Sequence, residues 1–377
     1  MSKATPSVDV LVLGSHPSAY LAAELLLAKG VSVMHATIPT ESMPDRLVLI
    51  NPQLFALHKP LDKAKKKLEL TGVYGLVFLA DDGTTRGEFK CAKNPAALVA
   101  KYSDIKKALC NCAKDAGAKL LNPKSLQIRT LDQQHFEVLA DNHVIRPKAV
   151  LLAGALPPEP AKALSLPEMF AADVMRRYTY VRLRGEKWVT PSPKPFAYMS
   201  LDLGGKLTWA WMLMHGDEVQ LAVECPLDQP ESTPSAMIRA WASVLHKHQC
   251  LKTIEGIERE DLVSLPIPSA GALAREVVGN RTLLFGPAGG FYTACLEDIF
   301  PNCWSAQFAV DAVKAALGQS HLQDALQPYR EMWGTTLGEY LRGPQQNLRF
   351  LLPLVYRNPV MTSRLAESIL QGKTVVR

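Results

Sequence analysis

The 377-residue sequence lacks any run of roughly 18 or more apolar residues, the length a membrane-spanning helix needs, and Met1 to Asp9 hold no apolar signal core. These absences predict a cytoplasmic protein without stable membrane insertion. Cysteine is sparse, at positions 91, 110, 112, 225, 250, 295 and 303, an odd number with no Cys-x-x-Cys spacing. Neither a zinc site nor a disulfide framework is indicated, which fits a reducing compartment. His16 and His35 stand alone in sequence, so no metal is expected. No internal repeat or low-complexity tract occurs, and no Ser-His-Asp or paired-carboxylate pattern identifies a catalytic group. The formal charge of +6 is spread along the chain, which does not point to nucleic acid. Its one dense patch, Lys63, Lys65, Lys66 and Lys67, reads as a solvated helix face or as a contact to an acidic ligand or membrane surface.

A hydrophobic fraction of 47% with 21% charged residues is that of an ordinary globular enzyme, and the length allows two packed cores. Val8 to Leu13 is a short apolar run ending at Gly14, the pattern of a buried parallel strand entering a tight turn. Ala19 to Lys29 is built from strong helix formers, Gly30 stops it, and Val31 to Met34 begins a second strand. The unit is βαβ. Pro44 to Pro95 is broken by Pro and Gly and reads as an irregular excursion over one side of a pocket. Tyr102 to Ala116 reads as a helix, Lys119 to Val144 as a small antiparallel sheet, and Ala149 to Ala153 as another buried strand. Tyr178–Leu183, Phe196–Leu203, Lys206–Met214 and Glu218–Glu224 alternate like an antiparallel sheet, joined by Gly-containing turns. A helix over Pro234–Lys247, a strand over Arg281–Phe285 and a helix over Trp304–Leu317 complete the pattern.

In a dinucleotide-binding turn the first glycine allows the bend, the second lets backbone approach the pyrophosphate, and the third position must be small. Here the hexad is Gly14-Ser15-His16-Pro17-Ser18-Ala19, with the second glycine replaced by His16 and Pro17 well placed to open a helix. The acidic residue expected to hold a ribose at the end of the second strand is missing, and Thr37 stands nearest that place.

That hexad, Ala153-Gly154-Ala155, the pair Trp209–Met212 and Gly216–Leu221, and Leu283-Leu284-Phe285-Gly286-Pro287-Ala288-Gly289-Gly290-Phe291 occur in family order. The sequence resembles the FAD-dependent aromatic hydroxylases, geranylgeranyl reductases and flavin-dependent halogenases over about its first 315 residues. The resemblance implies FAD along the Gly14 turn, with its ribityl chain and ring held by Gly286, Pro287, Ala288, Gly289 and Gly290. Together with the strand and helix pattern, which gives the antiparallel-sheet substrate domain and a helical C-terminal tail, it implies an α/β fold with an FAD/NAD(P)-binding Rossmann-like three-layer domain. The corresponding boundaries are 1–170 and 266–318 for the FAD-binding module, 171–265 for the substrate domain and 319–377 for the tail. The chain departs from the family at His16, Thr37, Pro287, Leu296 and Asp298.

On the strand after Thr208, Trp209 and Trp211 share a face, and with Tyr180, Phe291 and Tyr292 they are the candidate lining of an apolar substrate pocket. Tyr178 and Arg182 share a face with Tyr180, and Cys303, at a helix start, is a candidate reactive thiol. Two functions follow. One is an FAD-dependent oxidoreductase, monooxygenase-like or reductase-like, acting on an apolar or aromatic small molecule, with the cofactor doing the chemistry. The other is a degenerate member that has lost FAD and serves as a ligand-binding, non-redox or accessory protein, with a possible protein partner.

Overall fold

A computed structural model describes residues 7–41, 43–131, 135–166, 169–205, 208–230, 232–345 and 348–375. Strand β1 (Ser7–Leu13) is apolar and fully buried on both faces from Val10 to Leu13 because it lies mid-sheet. It runs parallel to β2 (Val33–Ala36) on one side and to His143–Leu152 on the other, with Val10 opposite both Val33 and Ala149. The sheet continues through Lys119–Leu121 beyond β2 and through Thr282–Leu284 beyond His143–Leu152, all parallel. Leu126–Thr130 and Phe136–Ala140 extend it by antiparallel pairing, so the small antiparallel sheet expected over 119–144 takes form there, while Lys119–Leu121 joins the parallel set. Residues 132–134 of that stretch, and residues 1–6, lie outside the described residues.

Helix α1 (Pro17–Ala28) is buried at every position from Pro17 to Leu26, which explains its weak segregation of polar and apolar faces. It packs against the long helix Ile299–Ala316 and against a helix of the region after residue 100. The excursion from Pro44 is more ordered than its Pro and Gly content suggests. It contains β3 (Leu47–Ile50), helix α2 (Lys59–Lys65) and two strands, Gly75–Leu79 and Arg86–Lys90. Helix α3 (Tyr102–Asp115) follows, burying Tyr102, Ile105, Leu109 and Ala113 on one stripe.

The second sheet runs Val263–Pro268, Met175–Arg184, Glu218–Pro226, Ala210–His215, Ala197–Ser200, Gly75–Leu79 and Arg86–Lys90. Its pairs are antiparallel except Ala197–Ser200 with Gly75–Leu79. The substrate sheet expected over 171–265 therefore also takes two strands from the N-terminal half. Lys206 and Leu207, expected to begin a strand, lie outside the described residues.

Alternation works as the sequence demands. Trp209, Trp211 and Leu213 enter the core that this sheet shares with Leu47–Ile50 and the helices Leu348–Val355 and Pro359–Gln371, while Ala210 and Met212 enter the core beneath helix Ser232–Lys247. No helix among the described residues is long and apolar enough to cross a membrane.

Candidate functional site

The Gly14 turn is possible only without a side chain. Gly14 sits at φ +132°, and a Cβ there would lie 3.0 Å from Ala153 Cβ and from the Gly154 nitrogen. The chain then turns into α1 through His16, which caps the helix: its Nδ1 accepts the Ser18 N–H at 3.1 Å and lies 2.8 Å from Ser18 Oγ. With Nδ1 accepting, the ring hydrogen falls on Nε2, 3.4 Å from Asp298 Oδ2. His16 is fully buried. The side chain at the second glycine position is thus turned inward, as a cap.

Glu41 occupies the space in front of the turn. The Ser15 N–H donates to Glu41 Oε2 at 2.6 Å, and a Cβ on Gly154 would come within 2.6 Å of the same carboxylate. Ser15 precedes the His16 cap, so the carboxylate sits just ahead of the helix start, where the helix dipole favours negative charge in the way it would favour a phosphate. It therefore holds the position implied for the FAD pyrophosphate.

Behind it lies a buried ion pair. Tyr180 and Arg182 both donate to the Asp45 carbonyl, at 2.9 and 3.2 Å, and Arg182 also reaches the Asp45 carboxylate at 2.9 Å. Gln220 brackets Leu47, accepting its N–H at 2.7 Å and donating to its carbonyl at 3.1 Å. Pinned on both sides, Arg46 points inward. Its Nη2 lies 2.5 Å from Asp298 Oδ2, and its guanidinium lies 4.2 Å from the centre of the Tyr102 ring. Burial alone would raise the Asp298 carboxyl, but the Arg46 charge and the hydrogen bonds from His16 and Arg46 hold it below its ordinary value. Burial works against the Arg46 charge, and the Asp298 carboxylate more than restores it.

The segment implied to hold the ribityl chain is also spent. The Gly286 N–H donates to Ser305 Oγ at 2.8 Å, the Ala288 N–H to the Ala153 carbonyl at 3.3 Å, and the Gly290 N–H to the Pro287 carbonyl at 3.2 Å. A Cβ on Gly286 would meet Ser18 Oγ at 2.7 Å. Gly289, Gly290 and Ala288 are buried, with Pro287 partly exposed. Thr37 is tied to Asn122 by a 3.3 Å hydrogen bond.

The candidate pocket aromatics are packed. Phe291 enters the Rossmann-like core edge-on to Trp333, whereas Tyr292 enters the inter-sheet core with Tyr180, Trp209 and Trp211. Trp211 stacks on Tyr178 with ring centres 5.4 Å apart. Cys303 is fully buried and its thiol is pushed well above the ordinary value, as is that of Cys295, both by burial first. A reactive thiolate is not made here.

In this arrangement the residues at the seat do not fit FAD. Gly14, Gly154 and Gly286 face the chain's own atoms, the amides of Ser15, Gly286, Ala288 and Gly290 are bonded, and His16, Ser18, Arg46, Tyr102 and Asp298 form one buried chain of contacts. Neither Arg46 nor Tyr102 is expected from the sequence as a site residue. The signal for Arg46 was a lone cation at the head of the apolar run Leu47–Ile50, but its partner lies 252 residues away and only the fold joins them.

No family model matches the chain, and no curated protein matches it. Solved structures do. A geranylgeranyl bacteriochlorophyll reductase-like protein from Thermoplasma acidophilum superposes with a TM-score of 0.71 at 14% identity, covering 98% of this chain and 93% of that one. A flavoprotein/dehydrogenase from Cytophaga hutchinsonii gives 0.66 at 16% identity over 97% and 93% of the two chains. The p-nitrophenol 4-monooxygenase PnpA from Pseudomonas putida DLL-E4 gives 0.66 at 13% identity over 97% of each. The chain therefore has the FAD/NAD(P)-binding Rossmann-like fold shared by the geranylgeranyl reductase-like proteins, aromatic monooxygenases and flavin-dependent halogenases.

Proposed function

We propose that this protein uses a flavoprotein fold without a resident FAD, as a ligand-binding, non-redox or accessory protein. The observation that supports the reading is Glu41, whose carboxylate satisfies the Ser15 amide that a pyrophosphate would otherwise need. The buried Arg46–Asp298 pair and the consumed amides of Gly286 and Ala288 point the same way. Fold persists through such changes more readily than chemistry does.

A different observation favours a second reading, an FAD-dependent oxidoreductase of monooxygenase or reductase type acting on an apolar or aromatic small molecule. Ser15 Oγ, Arg46 Nε and Nη1, Tyr102 OH, Thr293 Oγ1, Asp298 Oδ1 and the Asn302 amide are buried without a hydrogen-bond partner among the described residues. A cluster of unsatisfied polar atoms is what a polar occupant would relieve. On this reading Glu41 leaves Ser15 and the chain opens around Arg46. The absorbance spectrum of the purified protein, with the supernatant after heat denaturation, separates the two. The first reading expects no visible band and no released flavin; flavin released in proportion to protein would overturn it and support the second.

A further inference from the structure

Large apolar side chains belong inside, and a cluster of them outside needs a reason. Among the described residues, three of the eight exposed large apolar side chains fall between residues 350 and 360, in the C-terminal tail. Phe350 is 81% exposed, the highest of the eight, with Val360 at 59% and Leu354 at 42%. The helix Leu348–Val355 shows why they stay outside. Leu348, Leu351 and Val355 are buried in the core shared with the second sheet, which turns the opposite stripe, Phe350, Pro353 and Leu354, to the surface. Tyr356 fixes that rotation, its hydroxyl donating to the Leu79 carbonyl at 3.3 Å.

The charge around the stripe has one sign. Residues 348–366 contain Arg349, Arg357 and Arg364 and no Asp or Glu. Arg357 and Arg364 are exposed and meet no acid among the described residues, while Glu367 is taken by Lys373 at 2.8 Å. The strand Arg86–Lys90, against which the helix Pro359–Gln371 packs, sets Arg86 and Lys90 against the single carboxylate of Glu88. Burial first, then Asp81, Asp202 and Asp82, raise the Tyr356 hydroxyl above its ordinary value, so these acids lie on the inward side of the helix.

We propose that this tip docks the protein on an anionic lipid bilayer, with Phe350, Leu354 and Val360 entering the boundary between headgroups and acyl chains and Arg357 and Arg364 meeting lipid phosphates. Three side chains offer roughly 300 Å², well under the about 800 Å² per partner that a stable protein interface buries. A bilayer demands no matching shape: it takes up each apolar side chain singly and attracts each arginine. Such docking needs no spanning helix, and none is present among the described residues. The lysine patch at 63–67 lacks the apolar half of the device, since none of the exposed large apolar side chains belongs to α2. The tip is separate from the Gly14 turn, so the proposal stands whether or not the protein takes FAD.

Co-sedimentation of the full chain with vesicles of phosphatidylcholine alone, or of an equal mixture with phosphatidylglycerol, tests it. The expected result is saturable partition onto the mixed vesicles, at least about tenfold stronger than onto phosphatidylcholine and weakened by added salt. Phe350→Ser with Leu354→Ser lowers that partition by about tenfold or more, and Arg357→Gln with Arg364→Gln by about fivefold or more. All four side chains are exposed, so the urea midpoint stays in place. Lys63→Gln with Lys67→Gln changes partition by at most about twofold. No partition onto mixed vesicles, equal partition onto both kinds, undiminished partition of either tail variant, or a larger loss from the lysine variant would overturn the proposal. A concentration-dependent dimer in light scattering that Phe350→Ser with Leu354→Ser abolishes would also overturn it, assigning the stripe to a second copy of the chain.

Discussion

At the head of α1 the chain closes on itself: Glu41 covers the Ser15 amide, His16 caps the helix, and Arg46 and Asp298 pair behind them. Two turns along the same helix, Glu24 faces a cleft of about 820 Å³ that the chain leaves open. Both places put charge inside the protein. In the first, Arg46 meets Asp298 and both are sealed from solvent; in the second, Glu24 meets His58 on one oxygen beside open space lined by lysines and further carboxylates. The contrast teaches that the position a fold usually devotes to a ligand and the position where this chain has room for one differ.

The largest test of the closed region is Asp298→Ala. It strands the Arg46 guanidinium in the interior, and urea unfolding should show a loss of about 3–5 kcal/mol. Replacing both partners, Arg46→Met with Asp298→Leu, should recover most of that loss, because the pair and its desolvation are removed together. A small effect of Asp298→Ala would mean that the region is open to water and not packed as described.

Next is pH. His35 donates to the Gly14 carbonyl at 2.7 Å, and burial lowers its pKa from 6.5 to about 4, with Lys106 adding to the shift and the hydrogen bond opposing it. Between those values the unfolded chain binds a proton that the folded chain refuses. Stability should therefore be intact above pH 6.5 and fall as pH drops toward 4, by about 3 kcal/mol for this group. The difference between wild type and His35→Gln across that window isolates it; a pH-independent difference would contradict the assignment.

Much of this architecture was legible in the sequence, and the reasons are specific. Val8 to Leu13 is apolar without alternation, so it announces a strand buried on both sides, and Tyr178 to Leu183 alternates, so it announces a sheet with two different faces. The hexad from Gly14 placed the turn. Gly75–Leu79 and Arg86–Lys90 were hidden because each is short and flanked by Gly or turn residues, and their pairing with Ala197–Ser200 spans a long stretch of chain. His16 reads as an obstacle when only the glycine pattern is considered. Its role as a cap depends on Ser18, two residues away, and on Asp298, far along the chain. Ion pairs of that sequence separation leave no local pattern.

Smaller effects sharpen the account of the turn. His16→Ala removes the cap on the Ser18 amide and should cost about 1 kcal/mol in chemical denaturation. No loss would show that the imidazole is not holding the helix start. Glu41→Ala should cost about 0.5 kcal/mol, because a single partly exposed carboxylate at a helix N-terminus is worth little. Its value lies in what it exposes, the free Ser15 amide.

Calorimetric titration of FAD into wild-type protein and into Glu41→Ala tests the central claim most directly. The account predicts no saturable heat for the wild type. It predicts none for the variant either, since Arg46, Asp298 and the bonded amides of Gly286 and Ala288 still fill the remaining seat. Saturable binding of FAD to the wild-type protein would contradict the account, and would place the Glu41 carboxylate as a movable cover over a working flavin site.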